Sequence, residues 1–141
     1  MSKIIALIII VGLIIFFLSQ KRSNKTIPIQ IDNKTFNLGI ANNPLSRSRG
    51  LSKRKSLCQN CGMIFVYQKE SVYPFWMKNT NFPLDILWLD KTGQVVDIKQ
   101  GQPQSLDILK NSTPAQYIIE LPTGSTTLNI GDIISLPHEI N

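Results

Sequence analysis

The sequence predicts a mainly β domain, α+β at most. The expected body is small and barrel- or sandwich-like, with about eight short strands and one short helix, preceded by an N-terminal transmembrane anchor. Three observations lead there. Apolar and polar residues alternate over short stretches, turn residues recur between those stretches, and one fifteen-residue apolar run stands apart at the N terminus. At 141 residues the chain has room for one domain after such an anchor, which excludes a multidomain enzyme or a nucleotide-binding barrel.

The apolar run is Ile4 to Leu18, IIALIIIVGLIIFFL, with Lys3 before it and Lys21, Arg22 and Lys25 after it. As a helix it covers roughly 22 Å, short of the roughly 30 Å of bilayer hydrocarbon. Ser19 and Gln20 extend it, and Lys3 and Lys21 can snorkel to the headgroups. Residues 1–22 therefore read as an anchor or uncleaved signal, with the membrane met through residues 4–20, and 23–26 as a linker. A cleaved secretory signal is the competing reading, but SQKRSNK after Leu18 offers no small-x-small cleavage site. The flanking basic residues barely differ between the two ends and, taken alone, would leave the domain inside.

In the domain, 27–137, Ile27, Ile29 and Ile31 alternate with Pro28, Gln30 and Asp32. Phe36, Leu38 and Ile40 alternate with their neighbours in the same way, so two strands flank an Asp32-Asn33-Lys34 turn. Asn43-Pro44 suits the start of a helix that Gly50 keeps short. Gly62 to Tyr67 and Tyr73 to Lys78 read as aromatic-rich strands. Ile86 to Leu89 and Gln94 to Lys99 flank the Asp90-Lys-Thr-Gly93 turn, the strongest hairpin signal in the chain. Gln100 to Pro114 shows no period, Ala115 to Leu121 resumes a strand, and Ile133 to Leu136 supplies the eighth. No second helical segment lies between strands, which disfavours a βαβ fold.

Half of the formal net charge of +6 comes from the N-terminal 22 residues. Residues 1–22 hold three of the 15 basic residues, leaving 12 against 9 acidic ones, or +3. That is weak ground for nucleic-acid binding, and no nucleic-acid partner is expected. Arg47, Arg49, Lys53, Arg54 and Lys55 do cluster within nine positions, but no aromatic interleaves them as a stacking platform. A solvated face explains such a cluster, and contact with anionic headgroups or an acidic polymer is its functional reading.

Four segments carry a resemblance: Arg49-Gly-Leu51; Gly62-Met-Ile-Phe65; Phe75-Trp-Met-Lys-Asn-Thr80 with Pro83-Leu-Asp-Ile86; and Ala115-Gln-Tyr-Ile-Ile-Glu-Leu121 with Gly124 and Gly131-Asp132. Together they resemble the bacterial and archaeal family called domain of unknown function 192, over roughly 27–137. The resemblance implies a compact, mainly β domain, often behind an export signal or anchor and outside the cytoplasmic membrane. It implies no established activity. Many members carry a Pro-Cys pair where this chain has Pro103-Gln104, so no role of that cysteine transfers.

Chemistry-bearing residues concentrate in FWMKNT. On a strand Phe75, Met77 and Asn79 share one face, and Trp76, Lys78 and Thr80 the other. Lys78 supplies charge for an anion, and Thr80 and Asn79 supply directional hydrogen bonds. Asp85, seven residues on, is within reach of a turn, either as a structural ion pair or as Lys78's partner in catalysis. Glu120 with Arg49 could complete a polar pocket, although an exposed strand position is the competing reading. The expected ligand-binding set is Arg49, Trp76, Lys78, Asn79, Thr80, Asp85 and Glu120.

Cys58-Gln-Asn-Cys61 has half-zinc-site spacing, but four ligands are needed and His138 is the one histidine. Gly62 and a strand-like MIFVY follow, not the helix a thioredoxin-like centre requires. A local disulfide in an exported domain and two buried thiols remain open. No metal and no cofactor are expected, with Cys58 and Cys61 the weak metal candidates. There is no phosphate-binding loop and no Gly-x-Ser-x-Gly elbow. The function expected is a membrane-anchored extracytoplasmic β domain that binds a small anionic ligand or an envelope protein. Its rivals are a small hydrolase or transferase using Lys78 and Asp85, and a thiol or zinc protein through the cysteines.

Overall fold

The computed structural model describes residues 25–140. The expected anchor, with the first half of the linker, lies outside the described residues. Among those described, no helix is long and apolar enough to cross a membrane.

Strands β1 (Thr26–Ile31) and β2 (Lys34–Ala41) form the expected hairpin. Its two central residues, Asp32 (φ 49°) and Asn33 (φ 59°), both take positive φ, the requirement of the tight turn that matches strand twist. Helix α1 (Pro44–Arg49) starts where the Asn43-Pro44 signal put it. Asn43 Oδ1 accepts the Ser46 N–H at 2.9 Å, Ser46 Oγ accepts the Asn43 N–H at 3.1 Å, and Gly50 ends the helix at φ 49°. The helix buries no residue of its own and serves as a crossover. It connects β2 to β3 (Cys61–Ser71), which pairs with β2 in parallel. This one parallel crossover departs from the expectation of no βαβ element.

Strands β4 (Leu84–Leu89) and β5 (Val95–Gly101) form the second hairpin. Asp90 Oδ1 accepts the N–H groups of Thr92 and Gln94 and so fixes the turn. Strand β6 (Ala115–Pro122) inserts between β3 and β4, antiparallel to both, giving one mixed sheet in the order β1-β2-β3-β6-β4-β5.

Two expectations need correction. The sheet is neither a barrel nor a sandwich, because β1 and β5 are free edges of a single open sheet. Pro28 leaves β1 without one ladder donor, and β5 begins against the loop, with Val95 bonded to Asp132 and Gly131. Among the described residues the strands number six, not eight. Tyr73 to Lys78 and Ile133 to Leu136 make only the isolated bridges Phe75↔Leu109 and Gln94↔Ile133. Pro74 interrupts the first segment, and Asn79 at φ 61° turns it away from any ladder.

β6 is buried on both faces, as the near-continuous YII run requires. Tyr117, Ile119 and Leu121 join a core with Ile29, Phe36 and Leu87, closed by Ile134 and Ile140 from the chain after β6. Ile118 faces the other way, into a core of Phe65, Phe75, Met77, Ile86 and Trp88. By period two, Glu120 points to this second side.

Candidate functional site

Above the second core, α1 and the segment 72–83 stand apart and leave a cleft of about 220 Å³. That is below the roughly 300 Å³ at which drug-sized ligands begin to fit, so the occupant it suits is small. The floor is Glu120 with Phe65 and Phe75, one wall is Arg47 to Ser52, and the other is Trp76 with Lys78, Asn79 and Thr80. Of the residues expected from sequence, Arg49, Trp76, Lys78, Asn79, Thr80 and Glu120 meet here.

Glu120 sits on β6 between Met63 of β3 and Ile86 of β4, both apolar. It is 5% exposed, and no described residue donates a hydrogen bond to its carboxyl. A buried carboxylate without donors loses hydration and gains nothing in return, so the neutral acid is favoured. Burial accordingly pushes its pKa up to about 8, with the charge of Arg54 acting in the opposite direction.

The rim is cationic. Arg47 is held in place: Nη1 donates to the Val66 carbonyl at 2.9 Å, and the guanidinium lies 4.7 Å over the Tyr67 ring, which stacks on Tyr73. Arg49 is exposed and borders a neighbouring groove with Arg54 and Met63. Across the cleft Lys78 Nζ rests 5.1 Å from the Trp76 ring centroid, a cation–π contact at the surface. The Asn79 carbonyl accepts the Lys53 N–H at 2.7 Å, which ties the basic stretch after α1 to the facing wall.

Thr80 departs from the expected face. Phe75 and Met77 are buried and Trp76 and Lys78 exposed, as alternation requires, but the turn at Asn79 carries Thr80 inward to 5% exposure. Asp85 stands elsewhere. Paired in register with Leu121, it accepts the Gly124 N–H at 2.8 Å and a long contact from Gln100 Nε2, holding the turn after β6. It makes no ion pair with Lys78; among the described residues the ion pair is Lys99 with Asp97 at 3.8 Å. Cys58 and Cys61 form a disulfide with Cα atoms 5.1 Å apart, away from the cleft, so they are not free to ligate zinc. Among the described residues no three His, Cys, Asp or Glu side chains cluster as a metal site.

Arg47 and Arg54 escaped the sequence-based site set, although both lie in the basic cluster. The available signal was the Asn43 cap, which fixes where α1 begins and so which of its arginines turns inward.

A family model described as "Uncharacterized ACR", the DUF192 family, matches residues 27–136. The UPF0127 protein TK1120 of Thermococcus kodakarensis is 36% identical over 104 residues, 68% of this chain and 62% of that protein. A UPF0127 protein of Thermococcus sibiricus is 31% identical over 90 residues, 60% of this chain and 54% of that one. The matched region thus spans less than two thirds of either relative. A crystal structure of a candidate transcription regulator from Sinorhizobium meliloti 1021 aligns with TM-score 0.71 and 26% identity, covering 78% of this chain and 91% of that one. One of a protein of unknown function from Novosphingobium aromaticivorans aligns with TM-score 0.72 at 22% identity, over 83% and 89% of the two chains, and supports the fold alone.

Proposed function

The chain belongs to the uncharacterised DUF192 family, and from that premise we propose that its β domain is a binding module for a small anionic ligand, taken up in the cleft over Glu120. The observation that carries the reading is the pairing of a rim of Arg47, Arg49 and Lys78 with a floor carboxyl that burial keeps uncharged. Three cations around an uncharged floor give the cleft a positive potential, and low-dielectric walls strengthen it for an entering anion. Trp76, 52% exposed at the rim, adds an apolar surface for the carbon skeleton of an organic anion. The separation of Asp85 from Lys78 removes the pair on which a hydrolase or transferase would rest.

The domain acts outside the cytoplasm, held to the membrane through residues 4–20. The Cys58–Cys61 disulfide supports this, because such bonds persist in oxidising compartments. Binding is tested by titrating the full-length chain in detergent with citrate, succinate and sulfate. Arg49→Ala and Lys78→Ala should each weaken binding several-fold, and Lys91→Ala, away from the cleft, should leave it unchanged. Equal affinity in all four proteins would refute the reading. For location, an impermeant maleimide should label intact cells only after reduction; labelling confined to lysed cells that are then denatured and reduced would overturn it.

A further inference from the structure

We infer that Glu120 works as an acid, donating its carboxyl proton in a hydrogen bond to the bound anion, so that the cleft takes up a fully ionised oxyanion together with a proton. This rests on the anion-binding reading and specifies what chemistry the ligand must bring to the floor: an acceptor oxygen and not an ammonium group.

The geometry supplies the argument. Glu120 lies at the bottom of the cleft, 5% exposed, with no donor from any described residue. Its register neighbours on β3 and β4, Met63 and Ile86, carry neither charge nor a strong hydrogen-bonding group. The charged groups around it are all cations: Arg47 and Arg49 from α1, Arg54 from the following turn, and Lys78 from the facing wall. Tyr67 of β3 is the other titratable group that senses it, and burial raises that phenol above its ordinary value, so it stays neutral. A ligand ammonium would thus have to pass a cationic rim to reach an uncharged floor. An oxyanion meets cations on entry and finds at the floor a carboxylic O–H with no other partner among the described residues. Hydrogen bonds from an acid O–H to an anionic oxygen are among the short, strong ones.

Burial that holds Glu120 at about 8 leaves roughly nine-tenths of it in the acid form at pH 7 and about one-tenth at pH 9. Only the acid form can donate, and the ionised form repels the ligand. Affinity is therefore flat below pH 7 and falls about tenfold between pH 7 and pH 9, with proton uptake on binding growing across that range. Sulfate stays fully ionised throughout, and citrate, which completes its last ionisation near neutrality, is compared from pH 7 upward.

The experiment is calorimetric titration of the full-length chain in detergent with citrate and with sulfate at pH 6, 7, 8 and 9, in two buffers of different ionisation enthalpy. It is repeated for Glu120→Gln, whose amide donates without titrating. The wild type should lose about tenfold from pH 7 to 9 and take up protons at pH 8. Glu120→Gln, whose amide is the weaker donor, should bind several-fold more weakly than the wild type at pH 7 and show no further loss up to pH 9. Flat affinity in the wild type, affinity that rises with pH, or loss of binding in a folded Glu120→Gln protein would overturn the inference and leave anion binding standing. Absence of binding by both probes at pH 6 would defeat the anion-binding reading itself and the inference with it. A carbon-13 titration of the unliganded wild type gives a separate check, since a Glu120 carboxyl titrating at its ordinary value of 4.5 overturns the inference alone.

Discussion

Replacing Glu120 by glutamine should make the protein more stable at pH 8 while leaving it unchanged at pH 4.5. In the unfolded chain the carboxyl ionises near its ordinary 4.5; in the folded protein burial holds it protonated up to about 8. A folded-state pKa above the unfolded one contributes stability that is full below the unfolded value and is lost as pH rises through the folded one. The window here is pH 4.5 to 8. At 1.36 kcal/mol per pH unit that gap is worth about 5 kcal/mol, most of which falls between pH 5 and pH 8. Against a typical stability of roughly 5–15 kcal/mol, such a loss is easily measured. Asp32 and Asp90 are held below the ordinary range by hydrogen bonds from Thr126 and Thr127 and from Thr92 and Gln94, and act on the acid side of that window. The assay is urea unfolding of wild type and Glu120→Gln at pH 5, 6.5 and 8 with the disulfide intact. The wild type should weaken steadily with pH while the variant stays level. Parallel pH profiles would refute the argument, because they would mean that Glu120 ionises alike in both states.

Trp88 is fully buried and Trp76 is not, so Trp88→Ala should cost about 3–5 kcal/mol. Trp76→Ala should stay within about 0.5 kcal/mol by the same unfolding assay and weaken citrate binding instead. Gly62→Ala places a Cβ 2.4 Å from the Glu120 carbonyl oxygen and 2.7 Å from Leu38 Cδ2. Overpacking against backbone in a central strand should lower the urea midpoint by the equivalent of about 1–3 kcal/mol. Breaking the Cys58–Cys61 disulfide, which closes a loop with a sequence separation of 3, should cost about 2 kcal/mol from chain entropy, read as a midpoint shift between oxidised and reduced protein. It should leave citrate affinity unchanged, since the cysteines stand outside the cleft.

Much of the domain was legible in short-range pattern. The alternation in Thr26–Ile31 and Lys34–Ala41, the Asp90–Gly93 turn and the Asn43 cap each fix a local geometry that the tertiary structure keeps. What failed had a long-range cause. Tyr73 to Lys78 alternates as a strand would, and its residues do face inward and outward in turn, but pairing needs a neighbouring ladder, and Pro74 and the Asn79 turn remove it. The same turn moved Thr80 from Lys78's face into the interior. Glu120 was visible as a polar residue on an apolar strand. Period two could not say that the segment 72–83 covers its side of the sheet, and that cover makes the carboxyl a buried acid. Asp85 shows the reverse failure, because seven residues of separation suggested proximity to Lys78 while the strand register bound it to the turn at Gly124. The open sheet was illegible for a related reason: whether outer strands meet depends on curvature and on what covers β5, neither of which is written in local alternation.

The most direct test of anion binding over Glu120 uses the two indoles as reporter and control. Nitrogen-15 spectra of the full-length chain in detergent are recorded at pH 6.5 during titration with citrate. The account predicts a saturable shift of the Trp76 indole N–H, which borders the cleft, while that of Trp88, buried and bonded to the Tyr73 carbonyl at 3.3 Å, stays put. A Trp76 resonance that remains fixed, or two indoles that drift together without saturating, would contradict it.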